Sequence, residues 1–523
     1  MKTDLFILII ILLGTFQIKA QDLTIGLVDI NYDLVTDGYT LFSPWNAQTT
    51  YLINNCGEQV HKWTLGLPAG LKMSYLDDEG NLWILNENDL YKYDWNGNLK
   101  WRFFSQDHGI VAHHDYEIMP NGNFVIIGWE EVLNEEASAI GFDTTETSSQ
   151  SPIRVDGLYE FKIHNQDSFD LVWKWNFKDH FIQDVDDSLV NFGEVPASPR
   201  KLDINYRPMT DLDDFMHCNG LDYNEELDQL LVSARNSSEI YVIDHSTSTE
   251  EAASSQGGVE GFGGDFLWRW GKPNLDSQHD PNWIPEDHPN AGMITVFNNF
   301  DETQSKSNIK IIDPTVDAQG KYRLDDSNQF LPQEANLVIT SSTEEIYSRI
   351  MSGTHSLSSG NFIVCSGIDG QFYEITTDGE VVWKYVNPVL SQPIPQFSEI
   401  SVNFVFNLKK YPIDYIGFQG KGLSSLGIIE NVNPLSEACR MVTDVLEKPV
   451  IDLLVFPNPS KGQIFFETEE IVEQVQIFAV SGKMLKRINK PSNQINLNLD
   501  NGIYLIQFQF VDRTVSKLLT IAN

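Results

Sequence analysis

The stretch Tyr91–Phe103, YKYDWNGNLKWRF, decides how the chain is read. Two runs of alternating apolar and polar residues flank Asn96-Gly97, a dipeptide suited to the positive φ of a tight hairpin turn, and the second run contains Trp101. Four other segments share this plan: YLINNCGEQVHKW ending at Trp63, LYEFK through LVWKWNF with Trp173, IYVID through FLWRWG with Trp268, and FYEITTDGEVVWKY with Trp383. Between them fall complementary hairpins, MSYLDDEGNLWIL, HHDYEIMPNGNFVIIG, GLDYNEELDQLLVSAR and GTHSLSSGNFIVCSG. A four-stranded unit returning every ~40 to 50 residues is the pattern of a β-propeller blade. The interval from Trp268 to Trp383 has room for two such units, with ITVFNNF and ANLVITS in the degenerate one. The expectation is therefore an all-β chain with a six-bladed β-propeller over residues 21–425, against the alternative of an irregular β-sandwich.

Both ends of the chain read differently. Residues 1–20 hold a short polar start, an apolar run from Leu5 to Phe16 and Ala20 before Gln21, which predicts a secretory signal peptide. No later run is long and apolar enough for a transmembrane helix, so an exported, soluble chain is expected. Residues 426–452, including NPLSEACRMVTDVLEKP, read as a linker, and residues 453–523 as a small antiparallel β-sandwich domain.

Of the 523 residues, 74 are acidic and 35 basic, for a formal net charge of −39. Such a surface repels nucleic acid and anionic membranes, so neither is expected as a partner. Cys56, Cys218, Cys365 and Cys439 are far apart with no CxxC, which excludes the common zinc spacings and leaves room for one or two long-range disulfides of undetermined pairing. The acidic pieces Asp184–Asp187 and Asp211–Phe215 lack a full Ca²⁺-loop pattern and read as solvated loops, and GGVEGFGG at 257–264 as a flexible insertion.

Several of the eleven histidines recur at the start of an inner hairpin: His113 and His114, His217, His279, and His355. In a propeller, equivalent starts converge on the central channel. A lone strand histidine is usually structural, but repetition across units argues for a cluster. Arg235 ends the hairpin that His217 begins, which brings the two side by side. A guanidinium among imidazoles suits a tetrahedral oxyanion and would repel a metal ion, although three histidines are also a common metal set.

Four elements carry a resemblance to a known family: HHD…PNGN, Asp214-Phe215-x-His217-x-Asn219, Ser233-Ala234-Arg235, and His279-Asp280. From about residue 37 to 423 the chain resembles the bacterial arylsulfate sulfotransferases, PAPS-independent enzymes on a six-bladed propeller. The resemblance implies transfer of a sulfuryl group from a phenolic sulfate donor to a phenolic acceptor through a sulfated histidine, with no cofactor and no resident metal. It implies His279 as nucleophile, His217, His114 and Arg235 as its catalytic companions, and His113, Asn219, Thr354 and His355 around the substrate. Some members carry an N-terminal β-domain and a short-loop disulfide; this chain shows neither, so dimerisation is not expected to carry over. The tail, through Phe456-Pro457-Asn458-Pro459, Gly462, Ser481–Lys483 and NGIYLI from Asn501, resembles the type A C-terminal sorting domain of the Por (type IX) secretion system. That implies export through the periplasm to the cell surface or medium of a Gram-negative bacterium, with the secretion machinery as partner. The rival readings are a metal-dependent propeller lyase or hydrolase acting on an acidic polysaccharide, and a noncatalytic surface propeller that binds glycan or protein.

Overall fold

The computed structural model describes residues 23–142, 152–166, 168–206, 214–303, 305–400, 402–439, 453–468, 471–479, 483–510 and 514–522. The expected signal peptide, Asp211–Asp213, Ser481, Gly482 and residues 440–452 of the expected linker lie outside them. The chain divides into two compact units, residues 1–439 and 440–523.

In the first unit the hairpins recognised in the sequence become antiparallel sheets of four or five strands. The sheet holding Tyr91–Phe103 runs Lys72–Leu76, Leu82–Asn86, Asp89–Tyr93, Leu99–Phe104 in simple order. Its last turn forms as the Asn-Gly pair requires: Gly97 has φ 81° and the Asp94 carboxylate accepts the backbone N–H groups of Asn96 and Asn98. Equivalent sheets start with Val111–Ile118, Cys218–Asn224, His279–Trp283 and Gly353–Ser356. Each leading strand packs on the next, and the series closes on itself through Val405–Pro412.

Closure uses both ends of the unit. Val405–Pro412 pairs with Gly38–Pro44 and becomes the leading strand of the first sheet, while Gly26–Ile30 adds a fifth strand to the last sheet by pairing with Val381–Val386. These pairings cover edges of Gly38–Pro44 and Val381–Val386 that would otherwise stay open.

Four of the five repeated tryptophans have a common physical role. Trp63, Trp173, Trp268 and Trp383 are buried, and their indole N–H groups donate to Asp94 O, Thr247 Oγ1, Leu331 O and Asn55 O, each on the following sheet. One residue thus supplies apolar area and a hydrogen bond that ties successive sheets. The sheet without this tryptophan is His279–Trp283, Ile294–Asp301, Lys306–Ile312, Leu337–Ile339, where ITVFNNF and ANLVITS fall.

Two expectations change. GGVEGFGG is not a loose insertion: the Gly263 N–H donates to Gly257 O, Gly264 O accepts the Trp175 indole, and the Asp244 carboxylate accepts the Glu260 N–H. Its glycines permit close approach, since a Cβ on Gly258 would stand 2.3 Å from Asp244 Oδ2. The stretch expected to begin a linker at 426 instead belongs to the first unit through residue 439. Gln59 N donates to Gly427 O, Asn433 Nδ2 to Leu27 O, and Cys439 is disulfide-bonded to Cys56. Cys218 and Cys365 are buried thiols.

The second unit is a three-stranded sheet, Leu454–Phe456, Gln463–Glu467, Gln494–Asn496, and a four-stranded sheet in the order Met484–Asn489, Gln474–Ala479, Gly502–Gln509, Thr514–Ile521. Alternation in these strands buries Ile464, Phe466, Val475, Ile477, Ile506 and Phe508 in one core.

Candidate active site

The leading strands lose register at equivalent places. Pairing shifts between Ile126 and Gly128, opposite His113–Asp115; between Cys218 and Gly220, next to His217; and between His279 and Asn282. A bulge leaves residues unpaired and re-aims their side chains. His114, His217 and Asp280 consequently sit at φ 60°, 52° and 54°, a left-handed conformation that costs on the order of 1 to 3 kcal/mol for such residues and gathers at functional sites.

These bulges bring His114, His217 and His279 together. The His114 and His217 rings lie 4.7 Å apart, and Phe406 from the closing strand stands 5.6 Å from the His114 ring and 6.3 Å from that of His279. Of the adjacent pair, His114 faces this group, while His113 turns to Asp156, its Nε2 lying 2.6 Å from Oδ1, and meets His114 Nδ1 through its own Nδ1 at 2.7 Å. His217 Nδ1 donates to Asp214 Oδ2 at 2.5 Å. His279 Nδ1 lies 2.7 Å from Asn299 Oδ1 and 3.0 Å from Ser277 O. Arg235 is beside His217 as its hairpin position implies, its backbone N–H donating to the His217 carbonyl at 3.1 Å, while its Nη1 donates to Asn236 Oδ1 at 3.2 Å.

Burial, with neighbouring positive charge, keeps His114 and His279 neutral. Burial lowers His279 to about 3 against the pull of its Asn299 hydrogen bond, helped by the charges of Arg235 and His217. His114 lies well below its ordinary value, again through burial first and then through His217, His113, His279 and Arg235. Burial alone would raise Asp214, but its hydrogen bond to His217 and that ring's charge outweigh it, and the carboxyl is lowered.

The remaining candidates take different places. Asn219 is buried, its Nδ2 donating to Gln278 O immediately before His279, with its Oδ1 unpartnered among the described residues. Thr354 gives its N–H to Asp280 Oδ2, and its buried hydroxyl likewise has no partner among those residues. His355 turns away to Asp280, with Nε2 3.4 Å from Oδ2. Carboxylates also clamp successive leading strands: Asp115 accepts the Leu221 N–H, Asp222 that of Trp283 and Asp280 that of Thr354. Burial and then the Asp222 charge push Glu117 up to about 8 despite Lys409, and burial raises Asp222 to about 6.

Asn299, Phe406 and Asp156 were not legible as site residues. Asn299 lies inside the strand run ITVFNNF, and Phe406 and Asp156 meet the cluster only through long-range pairing. The doubled asparagine in an apolar strand was the one available signal.

A closed series of β-sheets thus gathers three imidazoles at the starts of its leading strands, with Arg235, at the end of the strand Gln229–Ala234, near enough for its charge to act on His114 and His279; the class is an all-β protein with a histidine cluster at one end of its leading strands. The chain belongs to the arylsulfotransferase (ASST) family, which matches residues 60–406. Residues 454–522 match the secretion system C-terminal sorting domain, which directs the chain through type IX secretion to the cell surface or the medium. Among the described residues no helix is long and apolar enough to cross a membrane. No curated protein matches the chain. Among solved structures it is similar to a protein of unknown function from Bacteroides caccae, at 11% identity and TM-score 0.40 over 72% of this chain and 99% of that one. A virginiamycin B lyase from Staphylococcus aureus is similar at 10% identity and TM-score 0.29, over 86% and 95%.

Proposed function

We propose that the chain is an exported aryl-sulfate sulfotransferase on a six-bladed β-propeller formed by the first unit, delivered with an N-terminal signal peptide and the C-terminal sorting domain. The observation that carries this reading is the meeting of His114, His217 and His279 at the bulged starts of neighbouring strands, with Arg235 beside His217 at the end of the same hairpin, in a chain of the arylsulfotransferase family.

Sulfuryl transfer, like phosphoryl transfer, needs positioning and charge neutralisation more than covalent assistance. The neutral His279 ring attacks sulfur, forming an N–S bond as the bond from sulfur to the aryl oxygen breaks. Arg235 and the Thr354 hydroxyl hold the nonbridging oxygens. His217 gives a proton to the departing phenolate, with Asp214 balancing the imidazolium charge. An acceptor phenol then returns its proton to His217 and takes the sulfuryl group, freeing His279 in a ping-pong cycle. Phe406 offers an apolar face for the aryl ring. The reaction calls for no cofactor.

The test is turnover of a chromogenic aryl sulfate with and without an added phenol. Phenol-stimulated release with sulfation of the phenol is expected. Release indifferent to phenol indicates a sulfatase, and no release from any aryl sulfate indicates a binding protein.

A further inference from the structure

The hydrogen bonds behind His279 settle a point that its position alone does not. Asn299 is buried, and its Nδ2 donates to Ser348 O at 2.7 Å and to Met351 O at 3.0 Å. Both partners are backbone carbonyls, which only accept, so the amide cannot be turned around without losing both bonds. Its Oδ1 therefore faces His279 Nδ1 as an acceptor, and Ser277 O, also only an acceptor, meets the same ring nitrogen. Two acceptors at one nitrogen require that nitrogen to carry the proton.

We infer that Asn299 is a positioning residue that fixes the tautomer of His279, with Nδ1 protonated and Nε2 bare as the attacking atom. This rests on the transferase reading for its consequence in catalysis, although the tautomer itself does not. When Nε2 forms its bond to sulfur and the aryl oxygen departs, the Nδ1 proton stays in place. The intermediate is then a sulfo-imidazolium whose positive ring balances the added negative charge. Keeping that proton lets a neutral imidazole, rather than an imidazolide, leave when the acceptor oxygen attacks.

The partner's chemistry also separates two rings of the cluster. A neutral amide stands behind His279, whereas a carboxylate, Asp214, stands behind His217. An amide orients a ring without inviting a second proton, as a nucleophile needs; a carboxylate supports the positive charge of a ring that exchanges protons. The same Asn299 amide holds the Ser348–Met351 segment, so the nucleophile and this segment share one anchor.

The test uses full-length protein labelled with ¹⁵N at histidine, read by long-range ¹H–¹⁵N correlation, with the His279 signal identified by its loss in His279→Asn. Wild type is expected to show His279 protonated at Nδ1. Asn299→Leu should give a mixture of tautomers and slow the first half-reaction, seen as the burst of phenol release, by about tenfold to a hundredfold, with KM within about twofold. Asn299→Asp keeps the acceptor, so it should retain the Nδ1–H tautomer while moving the acid limb of the pH–rate profile upward, because a carboxylate favours the protonated ring. A purely structural role would depress both variants alike and leave the tautomer unmoved. Protonation at Nε2 in the wild type overturns the inference, as does an Asn299→Leu protein with unaltered tautomer and rate. Should Asn299→Leu fail to fold, the wild-type spectrum decides alone. Absence of any aryl-sulfate turnover would instead sink the transferase reading while leaving the tautomer measurement standing.

Discussion

His217 and Arg235 show how far single residues can be read. Their adjacency followed from one hairpin, and the Arg235 backbone N–H donates to the His217 carbonyl. The convergence of His114, His217 and His279 needed only the premise that similar hairpins start at similar places. Asn299 was out of reach, because its meaning lies in two carbonyls about fifty residues further along the chain. Two outcomes follow at this scale. Arg235→Lys keeps the charge but loses the planar fork, and should lower kcat/KM about a hundredfold, or roughly 2.7 kcal/mol of transition-state stabilisation; kinetics like those of the wild type would remove Arg235 from the site. The second concerns pH. His279 is neutral in the folded protein down to about 3, while the unfolded chain takes up its proton near the ordinary value of 6.5. The unfolded state therefore binds more protons between those values, so this histidine's contribution to stability is complete above about pH 6.5 and is lost as pH falls toward 3. His114 acts in the same direction. Denaturant midpoints should fall less steeply between pH 7 and 4 in His279→Asn than in the wild type, and parallel slopes would contradict this.

At the scale of strands and sheets, alternation and turn chemistry were legible because they are local. The tryptophan that closes each hairpin was recognised as a repeat, but its reason, a hydrogen bond to the next sheet, emerges only in three dimensions. The glycine-rich loop was misread for the same cause: composition suggested freedom, whereas the glycines allow the backbone to approach Asp244. Trp383→Phe should test the inter-sheet tie. It removes the donor from a buried indole and leaves Asn55 O short of a partner, a loss of about 1 to 3 kcal/mol. A lowered Tm with unchanged kcat per folded molecule is expected; unchanged Tm would mean that apolar contact alone holds the sheets.

For the molecule as a whole, neither the closing strand nor the Cys56–Cys439 disulfide could be deduced, since each joins segments at opposite ends of the first unit and no local pattern marks the pairing. Their placement makes two truncations unequal. A chain ending after Arg440 keeps the disulfide and the Asn433 contact and should retain activity within a few-fold while losing export. A chain ending at residue 425 loses both and should be less stable by at least the ~2 to 4 kcal/mol typical of a long-range disulfide. Equal stability of the two would show that residues 426–439 are dispensable. The central claim is that this chain carries the sulfuryl group on His279 between donor and acceptor. The direct measurement is rapid quenching of full-length protein after exposure to an aryl sulfate without acceptor, followed by intact-mass and peptide-mass analysis. The expected result is one sulfuryl group per chain, on the peptide containing His279, removed by a subsequent pulse of phenol and absent from His279→Asn. An adduct on His114, His217 or a tyrosine, or transfer by His279→Asn at a rate comparable with the wild type, would contradict it.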